Sequence, residues 1–370
     1  MLAKATLTID LAKIEANARS IVSALPGVDI VGITKVTCGA PEVARAMLAG
    51  GVTALGESRL ENVARLREAG ITAPVWLVRA PAPALADDTV RLVDVSAISE
   101  VAIAEALDAA AARADRRHAI LAMVDIGDLR EGMMPEEVPA FLSAVSAMEN
   151  LDIIGLGASL TCYGAIVPDE RNLALLADLA AAAEEQLGHG LIISGGSSTS
   201  LDPVLHGLAP SSIDNLRIGE AIVLGVDPAT REQIPGLELH TDALTFAAPV
   251  IECKIKPSKP IGTSAQDAFG GSPVFEDRGL RRRAIVAVGR QDVPPGDLTP
   301  VDSRVEVLGA SSDHLVLDVD ALPTPPVIGD AIEFTPGYSA VLALCTSPYV
   351  DVVFIGKKAP GAVGTMTRAR

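Results

Sequence analysis

The 370-residue sequence has little of what staples, exports or embeds a chain. Its 4 cysteines, Cys38, Cys162, Cys253 and Cys345, lie far apart with no paired spacing, so neither a zinc site nor a disulfide framework is suggested and a reducing cytoplasm fits best. No metal is expected. There is no apolar signal core at the start, where Leu7 and Ile9 alternate with Thr6, Thr8 and Asp10, and no uninterrupted apolar run long enough to cross a bilayer. A soluble protein is expected. Basic clusters are scarce: Arg281 to Arg283 read as a solvated strand start, and a formal charge of -17 argues against a nucleic-acid or anionic-membrane surface. Also missing is a Gly-x-Gly-x-x-Gly opening a helix after a first strand, which weakens a dinucleotide-binding reading.

What is present is rhythm. Short apolar runs at 29–34, 52–55, 75–78, 91–95, 119–124, 153–158, 191–194 and 215–218 alternate with helical patterns, the clearest at 98–114, 136–148 and 171–187. Eight βα units in this length predict an α/β fold, a (β/α)8 barrel rather than an open doubly wound sheet. Near Pro235 the pattern changes to β-type segments at 241–255, 283–288, 304–307, 315–319, 331–334 and 350–355, separated by Pro and Gly turns. Residues 1–234 are therefore expected to form the barrel and 235–370 a C-terminal all-β domain. The tail 357–370 has little periodicity.

The stretch 28–35, Val-Asp-Ile-Val-Gly-Ile-Thr-Lys, reads as a buried strand ending in Lys35. In a parallel barrel the loops after the strands converge on one mouth, where chemistry is done. A partly desolvated amine there can form an imine with an aldehyde cofactor or substrate, and a solvated lysine at a strand end is the ordinary alternative. Two other loops reach the same mouth. Ser194-Gly195-Gly196-Ser197-Ser198 offers small residues with amides and hydroxyls suited to an anion, and Arg217-Ile218-Gly219-Glu220 adds a further glycine and an arginine able to meet a bound ring. An imine-forming lysine, a phosphate cradle and an arginine at ring distance together describe a pyridoxal 5'-phosphate site.

Those motifs, with Ile9-Asp10-Leu11, Ile14 and Asn17, the run 124–132 (Val-Asp-Ile-Gly-Asp-Leu-Arg-Glu-Gly), 160–165 (Leu-Thr-Cys-Tyr-Gly-Ala) and 308–314 (Leu-Gly-Ala-Ser-Ser-Asp-His), resemble the alanine racemase type of pyridoxal-phosphate enzyme, in its ornithine racemase-like branch. The resemblance spans nearly the whole chain. It implies that Lys35 holds the cofactor and serves as one base, that Arg217 meets the pyridine nitrogen, and that Ser198 with the backbone of Gly219 and Glu220 binds phosphate. Arg130, Tyr163, Ser312 and Asp313 would line the substrate pocket. It also implies a head-to-tail homodimer, a small-molecule amino acid as substrate, and a first strand near Thr6 that belongs with the β domain. An always-charged guanidinium at the ring nitrogen gives a weaker electron sink than an acid would, which suits racemisation over decarboxylation.

The sequence departs from the alanine racemase pattern in three places. The partner tyrosine expected as second base is missing from Gln266-Asp267-Ala268-Phe269-Gly270-Gly271, where Asp267 is the nearest candidate if burial tunes its carboxylate upward; a turn-forming role is its ordinary explanation. Asp313, Tyr163 and Cys345 stay open. The phosphate tyrosine after the lysine is replaced by Gly39 and its neighbours, and Met123 stands where a lysine is expected. Glu220 or Asp128 could pair with the distal amine of ornithine or lysine, or cap a helix. Two alternatives remain: a basic amino-acid decarboxylase using Cys345 of a partner, and a non-catalytic cofactor carrier, against which the long β domain argues.

Overall fold

A computed structural model describes residues 2–356 and 365–366, and the rest of the 357–370 tail lies outside the described residues. The chain divides into two compact units, one of Leu11–Ala243 and one of Met1–Asp10 with Leu244–Arg370.

In the first unit eight parallel strands close a barrel. Strand β1 (Thr6–Asp10) belongs to the other unit, so the barrel strands are β2 (Asp29–Ile33), β3 (Ala54–Glu57), β4 (Val75–Leu77), β5 (Val95–Ile98), β6 (His118–Met123), β7 (Leu151–Gly157), β8 (Ile192–Ser194) and β9 (Asn215–Ile218). Helices α1 (Leu11–Ala24), α2 (Pro41–Ala49), α3 (Leu60–Glu68), α4 (Ala86–Leu92), α5 (Val101–Arg113), α6 (Val138–Ser146), α7 (Glu170–Leu187), α8 (Leu201–Leu205) and α9 (Glu220–Leu224) occur between and beside them. Leu11, Ile14, Ala18 and Ile21 bury one face of α1, as their helical spacing requires. Val31, Ala54, Trp76, Val95, Ala97, Leu121 and Met123 form one packed cluster from the strands β2 to β6, consistent with a barrel that is filled rather than hollow. The ring closes where β2 pairs with β9, Val31 opposite Arg217 and Gly32 opposite Ile218.

Two expected elements move. The strand placed at 91–95 is instead β5 at Val95–Ile98: the apolar residues Val90 and Leu92 end α4, with Val90 buried on its inner face. Ile98 closes β5, so the helix expected from 98 starts at Val101. The division expected at 234/235 falls instead between Ala243 and Leu244. Its cause is a clamp: Asn17 on α1 donates to the carbonyls of Ile222 and His240, 3.0 Å each, and accepts from the His240 amide at 2.6 Å, while Leu237 and Leu239 are buried. Residues past Pro235 are thereby sewn to the barrel unit.

The second unit is built on a sheet ordered β13-β14-β11-β10-β1-β16-β17, with β15 paired to β10 and β12 paired to β15. Its strands are β10 (Leu244–Pro257), β11 (Leu280–Val286), β12 (Leu298–Pro300), β13 (Glu306–Ala310), β14 (Leu315–Asp318), β15 (Ala331–Pro336), β16 (Asp351–Ile355) and β17 (Thr365–Met366). β1 lies between β10, antiparallel, and β16, parallel, with Leu7 and Ile9 fully buried. A register shift at Val250/Glu252 lets the long β10 serve β1 and β15 with its first half and β11 with its second. The unit also carries α10 (Tyr338–Thr346), an apolar segment that β-type patterning does not announce. Asp297 fixes its start by accepting from the Ser339 hydroxyl at 2.7 Å and the Ala340 amide at 2.8 Å. Arg281, expected to be solvated, pairs with Asp318 and Asp320.

Candidate active site

Lys35, Ser198, Arg217 and Gly219 follow or end β2, β8 and β9, three neighbouring strands, at the carboxyl end of each. Arg217 is buried. Its Nη1 donates to the Ser194 carbonyl and hydroxyl, and its Nη2 to the Ala158 carbonyl and the Ser159 hydroxyl at 3.2 Å. Nε makes no hydrogen bond to the described residues. Burial lowers this guanidinium to about 10, with Glu131 opposing and Arg130 reinforcing the shift, so it stays charged near neutrality. Ser194 in turn donates to Asn215, locking β8 and β9 beneath the arginine. The Ser198 hydroxyl, also buried, accepts from the Ala221 amide at 3.1 Å at the start of α9, which leaves its own hydrogen for an acceptor. Gly196 sits at φ +121, and a Cβ there would lie 2.4 Å from Ser200 Oγ, so only glycine allows this loop.

The Lys35 turn is a tight 3-10 segment. The carbonyl of Thr34 accepts from the Thr37 amide and hydroxyl and the Gly39 amide, and Cys38 closes the turn at φ 54. Beside it, at the end of β3, Glu57 is fully buried and accepts from the Thr34 hydroxyl at 2.6 Å, the Asn62 amide group at 3.0 Å and the Ser58 backbone at 3.1 Å. Burial pushes this carboxyl up, against those hydrogen bonds and the charge of Lys35, which pull it down.

Two loops after β6 and β7 complete this end of the barrel. Asp128, one candidate for a distal amine, is spent: its buried carboxylate accepts from the backbone of Cys162, Tyr163 and Ile166, and although burial raises it, those amides bring it below the usual range. The other candidate, Glu220, pairs with Arg231 at 2.7 Å. Arg130 is engaged by Glu131, whose hydrogen bonds raise its proton affinity further. Tyr163 is 77% exposed on the second loop.

On the sheet unit, Asp267 does not meet the expectation of an upward-tuned carboxyl. It is exposed, and accepts from the amides of Phe269 at 2.9 Å and Gly271 at 2.8 Å, which lower it. It is a turn-former in this chain. Arg290 lies 4.4 Å over the Phe269 ring, and its backbone joins the turn that carries Ser312 and Asp313, themselves exposed and bonded to each other at 2.6 Å. Cys345 is buried in α10. The candidates thus form two sets: Lys35, Ser198, Arg217, Gly219, Glu220, Arg130 and Tyr163 on the barrel, and Asp267, Ser312 and Asp313 on the sheet.

Residues 9–227 match the alanine racemase N-terminal domain. The chain belongs to the alanine racemase family. Within that family it is 40% identical to the lysine racemase of Thermotoga maritima over 94% of its own length and 98% of that protein's. It is 37% identical to the ornithine racemase of Acetoanaerobium sticklandii, covering 93% and 98%. Its fold also matches an alanine racemase of Bartonella henselae solved with covalently bound pyridoxal phosphate, at a TM-score of 0.70 and 16% identity, over 96% of this chain and 100% of the other. The reaction class that goes with the family is amino-acid racemisation.

Against that family the donor set can be tested. An amine at one strand end, a buried hydroxyl and small-residue loop at another, and a charged guanidinium with a spare donor at the third match an aldehyde, a phosphate ester and a neutral ring nitrogen. They fit pyridoxal phosphate. Sequence reasoning passed over Glu57, which hides in a Gly-Glu strand end, and Ser159 and Ser194, whose role shows only through Arg217. Among the described residues no helix is long and apolar enough to cross a membrane.

Proposed function

We propose that this chain is a pyridoxal-phosphate-dependent racemase of a basic amino acid, ornithine or lysine, working in the cytoplasm as a head-to-tail homodimer. The observation that carries the reading is the grouping on three adjacent strand ends of an amine, an anion loop and a buried arginine where decarboxylases of this fold would present an acid. The relatives named for lysine and ornithine support the substrate class.

When bound, the cofactor supplies the aldehyde and electron-withdrawing ring that acidify the substrate's α-proton. Ser198 and the amides at Gly219 and Glu220 would hold its phosphate, and Arg217 would face the ring nitrogen as a hydrogen-bond donor. Lys35 would hold the cofactor's aldehyde end, and its amine would serve as the base that takes or returns the α-proton on one face. Of the groups open for the opposite face, Asp267 is a weak donor because its carboxylate is held ionised, and Cys345 is enclosed in α10. Tyr163, exposed on a mouth loop, is the better candidate. A dimer would cover apolar side chains now in solvent, such as Leu129 and Val167 on the barrel and Ile261 and Val274 on the sheet.

The test is incubation of the purified protein with pyridoxal phosphate and single enantiomers of ornithine, lysine and alanine in heavy water. Deuterium should enter the α-carbon of a basic amino acid with loss of optical purity, and Lys35→Ala should stop it. Carbon dioxide release would favour the decarboxylase, and no α-exchange with any of the three would remove the assignment. Sedimentation at micromolar protein should give a dimer mass; a monomer throughout would refute that part.

A further inference from the structure

Arg217 reaches from β9 across the end of β8 to the end of β7, and its two terminal nitrogens are fully engaged on the way. Nη1 binds the carbonyl and hydroxyl of Ser194, and Nη2 the carbonyl of Ala158 and the hydroxyl of Ser159. A guanidinium carries five N–H donors in one plane, and these oxygens take the four on Nη1 and Nη2. The fifth, on Nε, has no acceptor among the described residues. No ion pair among those residues holds the head either, so neutral oxygens set its direction. Two of the oxygens are backbone and follow from the fold; the other two belong to side chains that the fold alone does not require.

Ser194 is fully buried, and its hydroxyl donates to Oδ1 of Asn215, the residue opposite it on β9. With the hydrogen committed there, the lone pairs of the hydroxyl oxygen face the arginine. An amide nitrogen in the place of Oδ1 would turn that hydrogen toward a positive charge. Asn215 is itself pinned, since its carbonyl accepts from the Gly195 amide at 2.9 Å, and the Arg217 amide donates to the Gly196 carbonyl at 3.0 Å. We propose that Ser194 and Ser159 are positioning residues for Arg217, with Asn215 setting the polarity of the first, so that the arginine offers a bound ring the single N–H of Nε in place of its two-pronged fork. The assignment rests on the proposed place of Arg217 at the ring nitrogen. A guanidinium free to turn would present Nη1 and Nη2 together to a phosphate or carboxylate, and engaging both prevents that.

The experiment measures dissociation constants, by equilibrium dialysis, for pyridoxal phosphate and for its analogue with CH in place of the ring nitrogen. Both ligands keep the aldehyde and the phosphate, so the ratio of the two constants reads the ring contact alone. The parent should prefer pyridoxal phosphate by about tenfold, because the analogue leaves a charged donor facing C–H. Ser194→Ala should cut that preference to about threefold, weakening the natural cofactor and leaving the analogue unchanged, and Ser159→Ala should lower it less. A merely structural role would weaken both ligands alike and keep the ratio, and that result overturns the proposal. If Ser194→Ala fails to fold, Ser159→Ala, at a half-buried position, decides in its place, and an unmoved ratio there sinks the idea equally. Arg217→Met separates the two readings. A preference lost in that variant but unmoved in the serine variants removes the positioning role alone. A parent without preference, a preference that survives Arg217→Met, or no binding of either ligand removes the place of Arg217 at the ring, and the proposal with it.

Discussion

Arg217 at the barrel end and Asp267 on the sheet unit are both held by hydrogen bonds, but of different reach. Arg217 is buried and binds carbonyls and hydroxyls at the ends of β7 and β8, so it records the position of several elements at once. Asp267 is solvated and binds only amides of its own turn. The lesson is that the barrel-end arginine is fixed by several elements at once, whereas Asp267 is fixed by its own turn alone.

That contrast can be broken most forcefully at Arg217. Arg217→Met strands the Ser194 and Ala158 carbonyls and removes the proposed ring donor, and α-proton exchange should fall by about 10²–10³-fold, with stability lowered by about 1–3 kcal/mol. Retention of more than a tenth of the exchange rate would show that the buried network does not organise the chemistry.

A second test concerns His118, which is fully buried with Nε2 2.8 Å from Ser96 Oγ and Nδ1 without a partner. Burial lowers it from 6.5 to about 4. Between those values the unfolded chain takes up a proton that the folded chain refuses, so stability is complete above about pH 6.5 and is lost as pH falls toward 4, by up to about 3 kcal/mol. Urea unfolding at pH 7 and 4.5 should show that loss, and His118→Gln should flatten it. An equal slope in the variant would place the acid sensitivity elsewhere.

Asp128→Asn should be milder. It weakens the amide cluster that shapes the 158–166 loop, costing about 1–2 kcal/mol and raising hydrogen exchange at Cys162 and Tyr163 more than at Ala221. Smallest is Asp267→Asn, a change within an exposed turn that should leave the melt nearly unmoved. If Tyr163 is the second acid, Tyr163→Phe should slow exchange from one enantiomer far more than Asp267→Asn does; the reverse order would return the role to the sheet.

The barrel was legible because strands buried on both faces leave uninterrupted apolar runs, and Lys35 stood out as a charge at the end of one. Where a strand is short and abuts a helix, as at 91–98, apolar residues of the two run together and the register is lost. Partnership is written less clearly than position. That Asp128 is spent on amides of a loop more than 30 residues away, or that Glu57 is enclosed, depends on contacts that no local pattern encodes. Asp267 shows the converse, since its Asp-x-Phe-Gly context already spelled a turn.

The placement of β1 has a consequence for how the molecule is made. Strand β1 lies between β10 and β16, in a sheet whose other members are encoded after residue 243, so it must wait through synthesis of the entire barrel before its neighbours exist. Expressing 244–370 alone would leave β10 and β16 with a gap between them, and removing residues 1–10 should cripple the distant sheet unit while the barrel keeps all eight staves.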